Sequence, residues 1–305
     1  MPDGRFAPSP TGDLHLGNLR TALLAWLFAR SAGSSFLVRM EDLDPATSSR
    51  AHEASQLADL AAIGLDWDGP VVRQSDRRAL HDDAIAKLER AGLTYPCYCT
   101  RREIREAAAA PHETDQPEGA YPGTCRDLSA RQRADREQAG RPPATRLRAG
   151  GAVVRVCDRL KGELEVAIDD VVLRRGDGTP AYNLAVVVDD ADQGIGEVVR
   201  GDDLWTSTPR QAHLSTLLGL KVPSYAHVPL VLAPDGARLA KRHGAVTLAD
   251  RAARGDDAAA VVALLATSLG LATPGESVSA SVLVDRFDPL VLPREPWIVE
   301  PDLLG

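Results

Sequence analysis

Residues 8–18, PSPTGDLHLGN, place a turn, a histidine and a glycine at the predicted start of a helix. The free N–H groups and positive partial charge of a helix N-terminus favour a bound phosphate. Gly17 lets a ligand approach the backbone because it has no Cβ, and His15 can donate a hydrogen bond to a phosphate oxygen. A His-Leu-Gly tripeptide is common by chance, so its position between a strand and a helix is what favours a phosphate site.

A second candidate segment is residues 238–244, RLAKRHG, which follow an apolar strand. Lys241, with Arg238 and Arg242, would form a cationic loop that can stabilise charge on a phosphate during displacement at phosphorus. Taken alone, this segment fits an exposed basic turn better.

Three of the four cysteines, Cys97, Cys99 and Cys125, are close in sequence. Disulfides are rare in a reducing cytosol, so a metal site is the better interpretation. Structural zinc usually takes four thiolate or imidazole ligands, and His112 could supply the fourth on chemistry alone. The alternative is three reduced cysteines without a metal. Cys157 lies apart and is predicted to be a small buried apolar residue.

The elements that position these residues begin with a short strand and turn over 4–12, a helix over 18–32 and a strand over 35–42. Strand, helix and strand in this order predict a right-handed βαβ unit in a parallel sheet. Further along, the patterns predict helices near 50–63 and 76–91, several short strands over 143–175, a buried strand over 184–188 (LAVVV), a helix over 209–218, a strand over 225–233 and a helical, then irregular tail after 250.

The composition is that of an ordinary globular protein: 305 residues, 44% hydrophobic and 26% charged, with a net charge of -8. It excludes disordered, collagenous and coiled-coil proteins, and the length suggests about two domains. Residues 258–275 lack charge but contain Gly and Pro, so they predict a core helix and loop and not a membrane span. The N-terminus shows no signal peptide, and we therefore expect a cytoplasmic protein.

Residues 126–161 contain nine Arg and one Lys against four acidic residues, a local excess of +6 in an acidic chain. Such a stretch can dock on phosphates. The alternative is a solvated helix face, since Arg131, Arg133 and Arg136 stand among helix-forming residues.

Taken together, the first two segments resemble the HIGH and KMSKS signatures of class I aminoacyl-tRNA synthetases, here His15-Leu16-Gly17-Asn18 and Arg238-Leu239-Ala240-Lys241-Arg242. The segments RFAPSPTGDLHLGNLRTAL, RMEDLD, AYNLAVVVDD and VVRGDDLWTSTPRQ narrow the resemblance to the glutamyl branch, over about residues 4–250.

This sequence departs from the family signatures at three positions. Asn18 stands for the last His of HIGH, as is common in the branch, and Arg238 stands for the first Lys of KMSKS and keeps its charge. Ala240 stands for the Ser, so its hydroxyl cannot be required here. Lys241, the lysine that matters most in the family, is kept.

The resemblance implies an α/β fold: a Rossmann-like parallel-sheet catalytic core with an inserted zinc-binding subdomain and a short helical C-terminal part. The expected divisions are residues 1–92 (first half of the core), 93–130 (zinc-binding insertion), 131–180 (remainder of the insertion), 181–250 (second half with the KMSKS-like loop) and 251–305 (helical C-terminal segment, without an anticodon-binding domain).

The resemblance also implies the site residues. Glutamate has two carboxylates and one ammonium; the arginine fork suits a carboxylate, and Glu41 is the candidate for the ammonium. Catalysis is assigned to His15 and Lys241. The expected glutamate-binding residues are Arg5, Ala7, Ser9, Glu41, Tyr182 and Arg200. The expected ATP-binding residues are His15, Gly17, Asn18, Arg238, Leu239, Ala240, Lys241 and Arg242. The expected zinc ligands are Cys97, Cys99, Tyr121 and Cys125, with His112 kept as the alternative to Tyr121.

The resemblance is strongest to a stand-alone paralogue of the glutamyl catalytic core. It implies activation of glutamate with ATP and Mg²⁺ without tRNA, then transfer of glutamate to queuosine at the wobble position of tRNA(Asp). We expect a monomer without an obligate protein partner, because no large exposed apolar stripe stands out in the sequence. The alternatives are a minimal glutamyl-tRNA synthetase that charges the 3′ end, a non-catalytic relic that binds RNA or amino acid, and a nucleotidyl transferase for another acid. The intact catalytic and glutamate-binding residues argue against the last two.

Overall fold

The structure, a computed structural model, describes residues 3–100, 102–104, 121–244 and 246–304, with only the backbone of Lys241. The strands are β1 (Gly4–Phe6), β2 (Phe36–Met40), β3 (Val72–Arg73), β4 (Thr94–Cys97), β5 (Ala144–Leu147), β6 (Val153–Asp158), β7 (Gly162–Ala167), β8 (Val172–Arg174), β9 (Glu197–Gly201), β10 (Ser224–Val228), β11 (Val231–Leu232) and β12 (Trp297–Ile298). The helices are α1 (Leu16–Ser31), α2 (Arg50–Ala62), α3 (Arg78–Arg90), α4 (Ala130–Gln138), α5 (Tyr182–Asp192), α6 (Thr208–Leu218), α7 (Leu248–Ala253), α8 (Ala258–Ser268), α9 (Ala280–Arg286) and α10 (Pro301–Leu304).

A parallel sheet forms the centre of the molecule. β1, β2 and β3 pair in that order, and β9, β10 and β6 also pair in parallel, with β7 closing an antiparallel hairpin on β6. An isolated parallel bridge, Asp3 to Ile195, joins the two groups beside β1 and β9. The predicted βαβ unit is confirmed as β1, α1 and β2, and the expected α/β fold with a parallel sheet is observed.

Helix α1 is held against the sheet by an apolar surface that runs nearly all round it. Leu19, Leu23 and Leu27 are fully buried, and α8 and α9 contribute to the same core cluster. Gly4 permits the close approach of β1 to α1, because a Cβ at this position would lie 3.2 Å from the Cβ of Ala29. These contacts fix the position of α1 relative to the sheet.

The predicted strand over residues 184–188 is wrong. These residues belong to helix α5, and Leu184, Ala185, Val186, Val187 and Val188 are all buried. A short, fully buried apolar run has no polar face to reveal its period, so a strand and a helix give the same pattern. Three valines, which favour strands, biased the prediction further.

The cysteine-bearing segment lies outside the parallel sheet, on an antiparallel sheet of order β4, β5, β8. Cys157 is exposed, so the prediction of a buried residue is wrong. It lies on β6, where side chains alternate between the two faces. Its neighbours Val156 and Asp158 take the inward positions, with 6% and 3% exposure.

The C-terminal part consists of helices α7 to α10 and the short strand β12, which pairs in parallel with β11. Within the residues that the structure describes, no helix combines the length and apolarity needed to cross a bilayer.

Candidate active site

The functional cavity lies where the strand order reverses. β1 continues to β2 on one side and β9 continues to β10 on the other, so their carboxyl ends leave a crevice between them, the usual ligand site of open α/β sheets. The cavity has a volume of about 590 Å³. The predicted site residues that line it are Arg5, Ala7, Ser9, His15, Gly17, Asn18, Glu41, Tyr182, Arg200, Arg238 and Leu239.

Of the rest of the predicted cationic loop, Ala240 and Arg242 are not among the described residues that line this cavity. Ala240 precedes a 3₁₀ turn, Lys241–His243, which begins with the backbone of Lys241. Arg242 lines a different cavity, between the loop and residues Pro301 and Leu304 of the C-terminal part. Arg238 pairs with Asp203 at 2.9 Å, which ties the start of the loop to the turn after β9.

His15 caps helix α1. Its Nδ1 accepts a hydrogen bond from the backbone N–H of Asn18 at 3.2 Å, and Asn18 Oδ1 accepts from the backbone N–H of His15 at 3.2 Å. Burial, and then the nearby Arg238 cation, lowers the pKa of His15 to about 4. At neutral pH the ring is therefore uncharged, and because Nδ1 is an acceptor, Nε2 carries the proton and is free to donate.

Gly17 is required by the same cap. A Cβ at Gly17 would lie 3.0 Å from two atoms of the His15 ring and 3.4 Å from the Cβ of Val231. The glycine therefore makes room for the histidine ring as well as for a ligand.

A buried cluster of charges holds Arg5 in place. Nε and Nη2 of Arg5 donate to the two carboxylate oxygens of Asp190 at 3.1 and 3.3 Å, and Arg39 Nη1 donates to Asp190 at 2.7 Å. Burial alone would raise the pKa of Asp190, but the Arg5 and Arg39 cations outweigh it and keep that pKa below its ordinary value. Asp190 is thus an anion that neutralises and orients Arg5 from behind the cavity.

Glu41 follows β2 and faces the cavity from beside the same cluster. Its carboxylate lies 3.6 Å from Arg39 Nη2. Burial raises the pKa of Glu41, and the Arg39 and Arg5 cations oppose this rise only in part. A ligand ammonium would lower this pKa, because it would give the Glu41 carboxylate a positive partner.

Arg200, on β9, is buried at 5% exposure and faces the cavity with part of its guanidinium uncommitted. Nε donates to His227 Nε2 and Nη2 donates to Thr208 Oγ1, both at 2.9 Å. Nη1 is buried and has no hydrogen-bond partner among the residues that the structure describes. A buried donor without a partner is costly, and a ligand carboxylate would satisfy it.

The cysteine cluster could hold a metal ion. The Sγ atoms of Cys97, Cys99 and Cys125 lie within 4.8 Å of one another. The phenol oxygen of Tyr121 is 3.3 Å from Cys97 Sγ and 3.8 Å from Cys99 Sγ. Three thiols and a phenol oxygen lie close together, and this set of four donors fits a metal ion of the zinc type.

A cation and a backbone donor lie beside Tyr121 in this cluster. The Arg146 guanidinium lies 3.7 Å above the Tyr121 ring, and the backbone N–H of Cys125 donates to the phenol oxygen at 2.8 Å. His112, the alternative fourth ligand, lies outside the described residues.

Much of the basic stretch 126–161 is paired with acidic side chains. The pairs are Arg126 with Asp170, Arg148 with Asp127, Arg155 with Glu165, Arg159 with Glu197 and Lys161 with Asp202. Arg131, Arg133 and Arg136 lie on α4, a helix without any buried residue. These three are the part of the stretch best placed to meet a large anion.

Sequence reasoning missed Arg39, Asp190 and His227, which contact predicted site residues from behind the cavity. A partial signal existed for Asp190, because a buried helix rarely ends in two acids without partners for them. His227 lies 27 residues from Arg200 in sequence, and only the pairing of β9 with β10 places Arg200 opposite His227. No local pattern reveals that contact.

Comparison with known proteins gives a consistent result. Residues 3–280 match the family model of class I tRNA synthetases (E and Q), catalytic domain. The chain is 64% identical to the glutamyl-Q tRNA(Asp) synthetase of Nocardia farcinica, over 97% of this chain and 92% of that protein. It is 53% identical to the protein of the same name from Cutibacterium acnes, over 94% and 84%. Among solved structures, it resembles a glutamate tRNA ligase from Elizabethkingia meningosepticum crystallised with its amino acid, with a TM-score of 0.83 and 27% identity, over 99% of this chain and 68% of that one.

Proposed function

Because the chain belongs to the class I tRNA synthetases of the E and Q group, we propose that it activates glutamate with ATP to glutamyl-adenylate, without tRNA. The observation that carries this proposal is the cavity that Arg5, Arg200 and Glu41 line together, with the buried Nη1 of Arg200 lacking a partner among the described residues. Two cations and one anion complement the two carboxylates and one ammonium of glutamate.

In this proposal, the charges assign an orientation to the amino acid. Arg200 offers its free guanidinium edge to one carboxylate, and Glu41 takes the ammonium. Arg5, already neutralised by Asp190, offers its remaining N–H groups to the other end of the substrate. Ser9 and Tyr182 add hydroxyl groups at the cavity wall.

ATP would occupy the part of the cavity at the start of α1. His15 donates from Nε2 to a phosphate oxygen, and the helix N-terminus adds its partial positive charge. An oxygen of the glutamate α-carboxylate attacks the α-phosphorus, a new O–P bond forms, and the bond to pyrophosphate breaks. Lys241 would neutralise the charge that grows on the phosphates, and Mg²⁺ would arrive with the nucleotide, held chiefly by pyrophosphate oxygens.

The second step of the proposal is transfer of the glutamyl group to queuosine at the wobble position of tRNA(Asp). A hydroxyl of the cyclopentene ring attacks the adenylate carbonyl, and AMP leaves. Support comes from relatives named glutamyl-Q tRNA(Asp) synthetase, which this chain matches over 92% and 84% of their length. The enzyme is proposed to act as a cytoplasmic monomer.

We also propose that the metal site formed by Cys97, Cys99, Tyr121 and Cys125 holds one zinc ion. Bound zinc would supply structural cross-linking of β4 to the segment 121–125. The site lies on the antiparallel sheet. Two of its cysteines, Cys97 and Cys99, line a cavity that Glu41 also lines.

The direct test is ATP–pyrophosphate exchange with glutamate as the only other substrate. We expect exchange with glutamate and without tRNA. We expect little exchange with glutamine, because its neutral amide cannot form an ion pair with an arginine. Arg200→Gln should raise the KM for glutamate, whereas Arg210→Gln, a change on α6 that does not line the cavity, should leave it unchanged. Exchange that is absent, or independent of glutamate, would contradict the proposal.

A further inference from the structure

Behind Arg200 lies a buried chain of polar side chains that does not reach the cavity. His227, on β10, is fully buried, and its Nε2 accepts the hydrogen bond from Arg200 Nε at 2.9 Å. Its Nδ1 lies 2.6 Å from Asp158 Oδ2, on the neighbouring strand β6. Neither Asp158 nor His227 lines the substrate cavity.

The hydrogen bonds fix which nitrogen of His227 carries the proton. Asp158 is an acceptor throughout: its carboxylate also accepts from the backbone N–H groups of Leu160, Lys161 and His227, at 2.8 to 3.2 Å. Nδ1 of His227 must therefore be the donor to Asp158, which leaves the lone pair of Nε2 for Arg200.

The electrostatics of the pair favour this uncharged tautomer. Burial, and then the Arg200 cation, lower the pKa of His227, and the hydrogen bond to Asp158 only partly offsets them. Burial alone would raise the pKa of Asp158, but the hydrogen bonds from His227 and from the backbone lower it below its ordinary value. The rings of Trp205 and Tyr225, 5.1 and 6.1 Å away, enclose the histidine.

We infer that Asp158 and His227 are positioning residues for glutamate recognition, because Asp158 selects the His227 tautomer that holds the Arg200 guanidinium with its free edge toward the substrate. Thr208 shares this task, since it accepts from Nη2 of the same group. With Nε and Nη2 held from behind, Nη1 is the donor left for the substrate carboxylate, since no described group accepts from it. This inference rests on the proposed function, in which Arg200 binds a carboxylate of glutamate.

A matched pair of substitutions at one position separates positioning from packing. In His227→Gln the side-chain amide oxygen can take the place of Nε2 and accept from Arg200. In His227→Asn the amide reaches only the place of Nδ1, so it keeps the bond to Asp158 and loses the acceptor for Arg200. Both variants are uncharged and smaller than histidine, so a purely structural role predicts similar damage from both.

The readouts are the KM for glutamate, the KM for ATP and kcat in pyrophosphate exchange, with a melting curve for each variant. His227→Asn should raise the KM for glutamate about tenfold, as loss of one hydrogen bond to a charged group implies, with the KM for ATP unchanged. His227→Gln should stay near the wild-type KM for glutamate. Equal effects of the two variants, or parallel losses for glutamate and ATP, would overturn the inference.

A second test uses Asp158 and does not depend on His227→Asn being folded. In Asp158→Asn the new amide can donate to Nδ1, which moves the histidine proton to Nε2 and sets it against the Arg200 Nε–H. This variant should raise the KM for glutamate in the wild-type background and leave it unchanged when added to His227→Gln. Equal effects in both backgrounds would refute action through the histidine.

The same assays distinguish the two levels of the proposal. If the wild-type protein shows no glutamate-dependent exchange, the proposed function itself fails. If the wild type is active and all these variants share its KM for glutamate, only the positioning role fails.

Discussion

Asp190→Asn should both destabilise the protein and weaken glutamate binding. Asp190 is buried between Arg5 and Arg39, at 3.1 and 2.7 Å, with Glu41 as the other anion of the cluster, 3.6 Å from Arg39. The wild-type cluster therefore has two cations and two anions. The substitution leaves one net buried positive charge, and the amide N–H group of Asn faces arginine donors.

The magnitude follows from the burial of the cluster. Removing one partner of a buried ion pair costs about 3–5 kcal/mol, and each kcal/mol lowers the Tm of a domain of this size class by roughly 2–4 °C, so we expect a fall of about 10 °C. Arg39 would also draw Glu41 away from the substrate ammonium, and Arg5 would lose its fixed orientation. The KM for glutamate should therefore rise in the folded variant.

Thermal unfolding followed by circular dichroism measures the first effect, and pyrophosphate exchange below the Tm measures the second. The matched control is Asp192→Asn on the same helix, where a half-exposed carboxylate pairs with Arg77 at 2.5 Å. An exposed pair of this kind contributes at most about 1 kcal/mol. If Asp190→Asn has the same Tm as the Asp192→Asn control and keeps the wild-type KM for glutamate, our account of the cluster is wrong.

Three further predictions concern the predicted site residues directly. Lys241→Ala should lower kcat of pyrophosphate exchange about a hundredfold or more while the KM for ATP changes little; equal losses in both would exclude the role given to Lys241. Burial raises the pKa of Glu41 above its ordinary 4.5. The carboxylate that would hold the ammonium is therefore fully ionised above that raised pKa and becomes protonated as the pH falls through it. The pH profile of kcat/KM for glutamate should show this acidic limb and Glu41→Gln should lack it, so an unchanged limb in the variant would contradict the assignment. Tyr121→Phe should give up zinc to a chelator at a lower concentration than wild type, whereas Tyr95→Phe, which loses a bond to Asp170, should not; equal zinc release from the two would argue against Tyr121 as a ligand.

The sequence was sufficient to predict the elements that carry the site. β1, α1 and β2 follow from apolar runs with turn residues between them, and the structure places them close to the predicted positions. The convergence of Arg5, Glu41 and Arg200 could be expected because all three lie at or near carboxyl ends of strands in one sheet. The resemblance of these segments to family motifs is what predicted that they meet in one site, although they are far apart in sequence.

The failures have different physical causes. Helix α5 was predicted as a strand because its apolar run lacks a polar face. Cys157 was predicted as buried from residue type, whereas the alternation of β6 turns it outward and Asp158 inward. The supporting contacts of Asp190 and His227 depend on strand order, which no short stretch of sequence encodes.

The position of the glutamyl group on the RNA tests the central claim most directly. The protein is incubated with labelled glutamate, ATP, Mg²⁺ and tRNA(Asp) that contains queuosine, and the RNA is then cut with a base-specific nuclease. We predict label on the anticodon fragment, and none on that fragment when the tRNA lacks queuosine. Label on the 3′-terminal adenosine would contradict this account and identify a minimal tRNA-charging enzyme.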